Sequence, residues 1–589
     1  MAVTFKIGSV SLDEDKIKNY FDSAWQQSNG YYDKYIKDDW AENDILYQDA
    51  VVSPAEKMDW MSDLRTPVTE SLVTRLANFF TRILVSTNED YFTVKHPDKN
   101  RAQAYKELLK VILRENEYPN KAFKPAFEWS LLNAIYVNSV EYELVESSMP
   151  TYDSKADTYG VIRETKSRTS IKAPKPKNIR LDPLGDRYRI EIRPAVPLHE
   201  FEEMGRLNGW KNIQRVVQAV TVEGEAVVEE RPLDEQESTF LRTVNLKIVS
   251  VKALTDNTGK VLVRDVRFYV ANNKHILWIE KNLLPDGMFN SIVENPMGGI
   301  YGRYGRSYIS KLKSLIMNYI EAINLAMDGQ RLAALGIYEY DISAASQDTA
   351  HLFTAKLEPG RFYPKSGSGK VLNGVFNSAL QNSSALNVVF FLDRELQNRS
   401  SQNEFFQGQP TAKGRPTLGE ISIKSQETTA FFTDIATHTE RTVLSPALYL
   451  ALVTELIYMD DRRMSDLLEN ISDDTVRGLL RGLSFDERMA DIKNMKIEVT
   501  GISGKIKRLG NFNKLIQILN VLGNIPGVLN AIRSDQLVKK LFEISDDTPD
   551  EVFDMDVLPA VVQDYLAQQQ QQAPQAGQGA SPMMPGGGL

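Results

Sequence analysis

Three Gly-Lys pairs resemble part of a phosphate-binding loop, but an aliphatic residue follows each of them. In a Walker-type loop a Ser or Thr follows the Lys, because its hydroxyl binds the magnesium ion. We therefore expect no nucleotide hydrolysis by this chain and no cofactor. The three pairs are Gly259-Lys260-Val261, Gly369-Lys370-Val371 and Gly504-Lys505-Ile506.

Residue types that bind metals or transfer protons are scattered as well. The chain has no cysteine, and none of its five histidines lies at HxxxH spacing, so we expect no metal site. Four carboxylates, Glu420, Glu427, Asp434 and Glu440, recur six or seven residues apart in a predicted helix. We interpret them, with Lys424, as a solvated or channel-facing side of that helix. The alternative is a metal-dependent nucleic-acid hydrolase that uses Glu420 and Glu427.

A polar stretch at residues 400–417 (SSQNEFFQGQPTAKGRPT) separates two predicted helices. Its Gly, Pro and Gln content predicts a loop. Its only cations are Lys413 and Arg415, and its only aromatic residues are Phe405 and Phe406. Such a loop is ordinarily a surface connection, whereas inside a channel these four side chains would touch a nucleic-acid backbone transiently.

Periodicity divides the N-terminal half into a helical section and a strand-rich section. Residues 12–140 are predicted to be helical. Within this range, apolar residues in 67–84 (PVTESLVTRLANFFTRIL) follow helical spacing. The segments 102–115 and 125–136 follow the same spacing. From residue 141 to 283 apolar residues tend to alternate with polar ones, which predicts strands. One helix is predicted within this section, at 199–208. The predicted strands are 141–145, 158–168, 188–194, 244–252, 261–271 and 275–281. The predicted fold class is α+β, mainly helical.

The clearest helix is predicted at 306–335, about 45 Å long. A Gly/Pro-rich segment at 295–306 precedes it and could seat a phosphate at the helix N-terminus, but we interpret it as a hinge that aims the helix. Short strands at 337–342 and 361–364, a helix at 387–399, the polar stretch and a helix at 418–449, bent at Pro446, follow. The remaining predictions are helices at 465–468, 474–481, 485–494, 514–522 and 536–542, a strand at 495–500 and a disordered tail.

Composition limits the classes of function. A chain of 589 residues is expected to form two or three subdomains. Its net charge of −9 argues against a broad basic surface that binds nucleic acid. Neither the N-terminal segment nor the apolar run at 444–459, which contains Glu455, predicts secretion or membrane insertion.

This order of parts resembles that of the portal proteins of tailed bacteriophages, and the resemblance covers nearly the whole chain. It rests on the order and spacing of five segments. They are residues 66–84, 179–185 (IRLDPLG), 304–307 (YGRS) with the helix after it, 357–361 (LEPGR) and 415–421 (RPTLGEI).

The resemblance implies a portal fold with wing, stem, clip and crown regions and a tunnel loop. The wing would be residues 1–296 together with the long helix and following segments at 418–500. The hinge and first stem helix would be 297–335, the clip 336–386 and the second stem helix 387–399. The tunnel loop would be 400–417, with Phe405, Phe406, Lys413 and Arg415 as DNA-channel residues, and Glu420, Lys424 and Glu427 would face the channel. The crown would be 501–565, and 566–589 a disordered Gln/Pro/Gly tail.

The resemblance also implies a structural function without enzymatic activity. Portal proteins form a ring of twelve subunits at one capsid vertex, through which viral DNA is packaged and ejected. Expected partners are further copies of the chain, the major capsid or scaffolding protein, the terminase large subunit, tail adaptor proteins and double-stranded DNA, and no membrane. The expected location is the virion, after assembly in the host cytoplasm. Twelve copies at −9 would carry −108, so the channel would guide DNA rather than bind it. Another capsid-collar structural protein is a further alternative.

Overall fold

The computed structural model describes residues 4–7, 10–48, 61–64, 66–85, 91–153, 158–222, 242–256, 258–298, 303–335, 338–341, 362–365, 372–374, 378–400 and 432–499. All of them belong to the first of two structural units, Met1–Gly501. The predicted helices at 514–522 and 536–542, the crown and the tail lie outside the described residues.

The described residues of the N-terminal section form five helices and three short strands. An antiparallel hairpin, β1 (Thr4–Ile7) and β2 (Val10–Asp13), leads into α1 (Glu14–Tyr35) and α2 (Lys37–Tyr47). Helix α3 (Val68–Leu84), strand β3 (Phe92–Lys95) and helices α4 (Lys99–Glu115) and α5 (Lys124–Asn133) follow, with a π-helical turn at Tyr118–Phe123. The predicted helices α3 and α4 are confirmed. The expectation of helices alone over residues 12–140 was wrong, because β3 lies within that range. The hairpin, most of which precedes residue 12, was not predicted.

Helix α5 ends earlier than predicted. Ala134 has a φ of 65°, a left-handed conformation that breaks the helix, and Tyr136 begins the strand β4 (Tyr136–Asp153). This strand pairs antiparallel with β5 (Thr158–Lys172). A later strand, β11 (Ser291–Glu294), pairs with β4 on its other side and makes a three-stranded sheet.

A second sheet, five-stranded and antiparallel, is formed by the strands that lie between β5 and β11 in the sequence. It consists of β6 (Ile179–Leu181), β7 (Tyr188–Pro197), β8 (Thr243–Thr255), β9 (Val261–Ala271) and β10 (His275–Lys281), adjacent in that order. Helices α6 (Leu198–Leu207) and α7 (Ile213–Val222) fall between β7 and β8. The strands β9 and β10 and the helix α6 are confirmed, whereas β6, α7 and β11 were not predicted.

The segment before the longest helix is a tightly packed turn. Tyr304 is 1% exposed, and its Oη accepts a hydrogen bond of 3.0 Å from the backbone N–H of Leu181. Gly305 has a φ of 71°, and a Cβ there would collide with the side chain of Asn295. Glycine is therefore required at this position for both backbone and space. The turn fixes the direction of the helix that follows.

That helix, α8 (Tyr308–Leu335), matches its prediction within two residues at its start. A small sheet follows, in which β12 (Tyr338–Asp341) pairs parallel with β13 (Phe362–Lys365) and antiparallel with β14 (Leu372–Gly374). Helix α9 (Ser378–Arg399) then returns. It begins well before residue 387, where we predicted its start, because the polar residues in 380–384 do not interrupt it.

The last described section is a further group of helices. Helix α10 (residues 432–439) continues through a π-helical turn (Glu440–Leu444) into α11 (Ser445–Tyr458). Pro446 lacks the N–H that a regular helix uses, and the wide turn before it accommodates this without ending the helix. Helices α12 (Asp461–Glu469), α13 (Asp474–Arg481) and α14 (Phe485–Asn494) and strand β15 (Lys496–Val499), which pairs with β3, complete the unit. The fold class α+β is confirmed, with more described residues in helices than in strands.

Candidate assembly interface

Helices α8 and α9 form an antiparallel pair. The hydroxyl of Tyr308, the first residue of α8, donates a hydrogen bond of 2.7 Å to the carbonyl of Ser400, just beyond α9. Farther along the pair, Tyr319 of α8 lies near Asp393 of α9, and burial together with that carboxylate raises the pKa of Tyr319. The two helices are therefore aligned along their length, and the small sheet of β12, β13 and β14 lies between them in the chain.

Polar contacts from α2 fix the base of α8. The amide of Asn43, which is fully buried, donates to the hydroxyl of Ser310 at 2.9 Å and to the carbonyl of Leu132 at 2.8 Å. Ser310 donates in turn to Asp39 at 2.6 Å. Because these bonds are directional, they set the rotation of α8 about its axis as well as its position.

A lysine strengthens the same contact. The Nζ of Lys313 lies 2.9 Å from Asp39 and 2.5 Å from Glu42. Partial burial would lower the pKa of Lys313, but the bonds to Glu42 and Asp39 raise it overall. The lysine therefore stays charged, and α8 is held to α2 by both hydrogen bonds and ion pairs.

A second polar contact holds α8 farther from its base. The carboxylate of Asp328 accepts from the backbone N–H of Ser62 at 2.5 Å, and Asn324 exchanges two hydrogen bonds with the backbone of Leu64. Asp328 is 8% exposed, so this carboxylate is buried against the backbone that it accepts from. Residues 61–64 thus hold α8 at a second place, about four turns beyond its first.

Both helices carry large apolar side chains that are exposed in the described part of the subunit. Residues 386–392 (LNVVFFL) are apolar on almost every side of α9, which is typical of a helix buried in a larger assembly. Exposed fractions range from 38% to 68%. The residues are Met317 (51%), Leu325 (60%), Leu386 (38%), Val388 (50%), Phe390 (68%) and Phe391 (62%).

We call these six residues the apolar surface of the helix pair. Four of the six lie within residues 386–391 of α9, and exposed apolar patches mark protein–protein contact sites. The surface is available for contact with another protein chain rather than for chemistry. We did not predict it from the sequence, although the apolar run in α9 is a visible signal.

Ser400, at the end of the helix pair, and Phe432, where the described chain resumes, both lie next to helix α3. Ser400 lines a cavity of about 300 Å³ together with Ser71 and Leu72 of α3. Phe432, at the start of α10, packs against Phe79 and Phe80 with ring centroids 5.3 and 5.9 Å apart. These two groups of α3 residues are about two helical turns, roughly 10 Å, apart. The ends of the segment 401–431 are therefore fixed close together.

All seven sequence-predicted site residues fall in that segment. Phe405, Phe406, Lys413, Arg415, Glu420, Lys424 and Glu427 lie outside the described residues. Of the other acids in the predicted helix, Asp434 is exposed as expected, but Glu440 is 3% exposed. The interpretation of Glu440 as solvated or channel-facing was wrong, because the π-helical turn carries it into the interior.

Among the described histidines, His96 belongs to a structural contact. The side chain of His96 is 6% exposed, with Nε2 3.3 Å from Asp491, while its Nδ1 accepts from the backbone N–H of Asp98. Among the described residues no group of three or more His, Cys, Asp or Glu side chains could hold a metal ion. No described helix is both long enough and apolar enough to cross a bilayer.

Comparison with known proteins does not place the chain in a family. No protein-family model matches the sequence, and no curated protein is significantly similar to it.

Proposed function

We propose that this chain is a portal subunit, which forms a ring of twelve copies at a capsid vertex. The ring would be the channel for packaging and ejection of viral DNA and the docking site for terminase and tail adaptors. The major capsid or scaffolding protein would surround it in the virion, after assembly in the host cytoplasm. The observation that carries the proposal is the antiparallel pair of α8 and α9 with its uncovered apolar surface.

A ring supplies the partner that this surface lacks. A cyclic assembly repeats one contact between two different faces of the subunit until it closes. Apolar area contributes about 25 cal/mol per Å² when it is removed from water. A helix pair that is rigidly attached at its base and apolar outside is suited to side-by-side contact with the same pair of a neighbour.

In this proposal, α8 and α9 are the stem and the β12–β14 sheet belongs to the clip, where other proteins dock. The segment 401–431 would supply the tunnel loop and the channel-facing residues, since both of its ends are fixed at α3. The remaining described residues would be the wing, and residues 501–565 the crown. The resemblance of the sequence motifs and this order of elements both support the assignment.

The proposed ring does not hydrolyse nucleotides, so packaging needs a separate ATPase, the terminase. An acidic channel would let DNA slide because the negatively charged wall does not bind phosphates. Lys424→Glu and Glu427→Lys test this part of the proposal. Unchanged packaging and unchanged DNA retention in infected cells for both variants would contradict a channel position.

Native mass tests the proposal as a whole. Mass photometry of the purified full-length protein should give a species near twelve times 66.6 kDa, about 800 kDa, and negative-stain images should show closed rings. A stable monomer or dimer at several salt concentrations would refute the proposal.

A further inference from the structure

Strands β4 and β5 continue as a two-stranded arm beyond the three-stranded sheet. Strand β11 pairs with β4 only over residues 136–139, whereas β4 and β5 stay paired as far as Asp153 and Thr158. From Val145, which is 37% exposed, to Asp153 the arm is about 27 Å long. An isolated two-stranded ribbon is at best marginally stable in water, so a further strand on either edge would stabilise this one.

The contacts of β5 inside the subunit show which of its backbone groups face away from β4. The backbone N–H of Thr169 donates to Glu455 at 3.2 Å, and that of Ile171 donates to Asn116 at 2.9 Å. Because backbone groups alternate between the two sides of a strand, the odd-numbered residues of β5 point their N–H and C=O groups outward. No other described strand pairs with this edge. In the arm, its outward residues are 159, 161, 163, 165 and 167.

The outer edge of β4 is open over the same length. The backbone N–H of Val140 donates to the carbonyl of Asn290, next to β11, at 2.7 Å. The even-numbered residues of β4 therefore point away from β5. In the arm these are residues 144, 146, 148, 150 and 152. Of these only Pro150 lacks an N–H, so the arm has a nearly complete set of donors and acceptors on both sides.

The two edges of the arm differ in charge. Residues 144–153 of β4 include two acidic residues and no basic one, whereas residues 158–168 of β5 include three basic residues and one acidic one. Of the basic residues, Lys166 and Arg168 are exposed. Opposite charges on neighbouring strands stabilise their pairing, and like charges oppose it. Charge therefore favours β5 beside the β4 of another copy over β5 beside another β5.

We propose that the arms of neighbouring subunits join edge to edge, with β5 of one copy paired to β4 of the next. This inference rests on the proposed ring, in which each copy has one neighbour on either side. Two different edges meet, so the contact repeats around a closed ring and leaves neither edge unpaired. Where Thr165 faces Glu146 of the next copy, the outward groups of both strands match. Five residue pairs then form about nine hydrogen bonds, because Pro150 donates none.

This pairing sets the register between subunits more than it drives their association, because each new hydrogen bond replaces one to water. The backbone edge also limits the kind of partner. Only an extended peptide chain presents donors and acceptors at the spacing of a strand, so a small ion or a polyamine cannot take this place.

Disulfide cross-linking tests the proposal, because the chain contains no cysteine of its own. Ser147→Cys and Glu164→Cys are made as separate single variants and coexpressed, so a disulfide between them must join two copies. In the proposed register the two positions form a non-hydrogen-bonded pair with Cα atoms about 4.5 Å apart, which a disulfide can span. We expect a cross-linked dimer after mild oxidation, and none from either variant alone.

Ser148→Cys is the matched control for Ser147→Cys, because it makes the same change one residue along the strand, on the opposite face of the sheet. With Glu164→Cys it should give at least about tenfold less cross-linked dimer. Ile162→Cys and Lys166→Cys, in place of Glu164→Cys, test registers shifted by two residues. Equal cross-linking of Ser148→Cys would overturn the proposal.

Mass photometry of the same samples separates this inference from the proposed function. Rings that give no cross-link in any of the three registers would overturn the arm contact alone, and an arm that pairs with a different protein would give this result. Cross-linked protein that forms no ring would refute the proposed function alone. Monomeric protein without a cross-link would overturn both.

Discussion

Replacing Phe390 and Phe391 of α9 by Asp should abolish ring assembly. The two rings are 68% and 62% exposed in the subunit. Full burial of a Phe contributes about 1.5–3 kcal/mol, so covering the exposed two-thirds of both contributes about 2–4 kcal/mol per contact. This corresponds to roughly 30- to 700-fold in each association constant. The charged carboxylates add a desolvation cost, and closure of a ring repeats the loss at every contact.

Mass photometry over a dilution series measures this effect directly. The double variant should remain near 66.6 kDa at concentrations where the proposed function has the wild type forming a ring. Phe485→Asp is the matched control, because Phe485 is 49% exposed on α14, away from the helix pair. If the α9 variant assembled as well as this control, the apolar surface would not be the contact between subunits. Circular dichroism should show the same helix content in all three proteins.

Three further predictions concern the stability of the subunit. Arg463→Met removes the partner 2.8 Å from the fully buried Glu455, and should lower the unfolding free energy in urea by about 3–5 kcal/mol. Burial and the neighbouring Glu141 raise the pKa of Glu191. The folded protein therefore loses stability when pH is high enough to ionise this carboxyl. Glu191→Gln should therefore raise the melting temperature at pH 7, with a gain that disappears below about pH 4. Burial would raise the pKa of Asp182, but bonds from an arginine and two backbone N–H groups lower it overall. Asp182→Asn should destabilise at pH 7, and the difference should vanish as pH falls through the lowered pKa.

Control measurements show whether each of these three effects has the stated cause or is a general effect of substitution. Arg477→Met breaks an exposed ion pair of 2.9 Å with Asp474 and should cost less than about 1 kcal/mol. A comparable loss for Arg463→Met would mean that Glu455 finds another partner. A pH-independent effect of Glu191→Gln or of Asp182→Asn would show that proton binding is not its cause.

The sequence predicted those elements whose signals are local. Helix α14 has the predicted bounds, and its first residues form a capping box in which Ser484 and Glu487 satisfy each other's backbone groups. Strands β9 and β10 are likewise bounded by turn residues at both ends. The strand β3 was missed because its four residues are stabilised by pairing with β15, about four hundred residues later. No local pattern contains that partner.

The two proposed contacts were predictable to different degrees. The sequence predicts strands at 141–145 and 158–168, but it does not show that β4 continues to Asp153 or which edges of the arm are open. The apolar run in α9 is visible in the sequence, whereas its exposure depends on how α9 packs on α8. The residues proposed for the channel stay predictions, since they lie between Ser400 and Phe432.

The subunit separates the contacts that orient the helix pair from those that would drive assembly. Asn43, Asp39 and Asp328 hold α8 through hydrogen bonds and ion pairs, which depend steeply on angle and distance. The apolar surface is almost indifferent to direction, because apolar burial scales with area alone. In the proposed ring, orientation would therefore come from the polar base, and affinity from the apolar surface. A change at Asn43 would for this reason alter the angle between neighbouring subunits, and hence their number in a closed ring, without removing any contact atom from the interface.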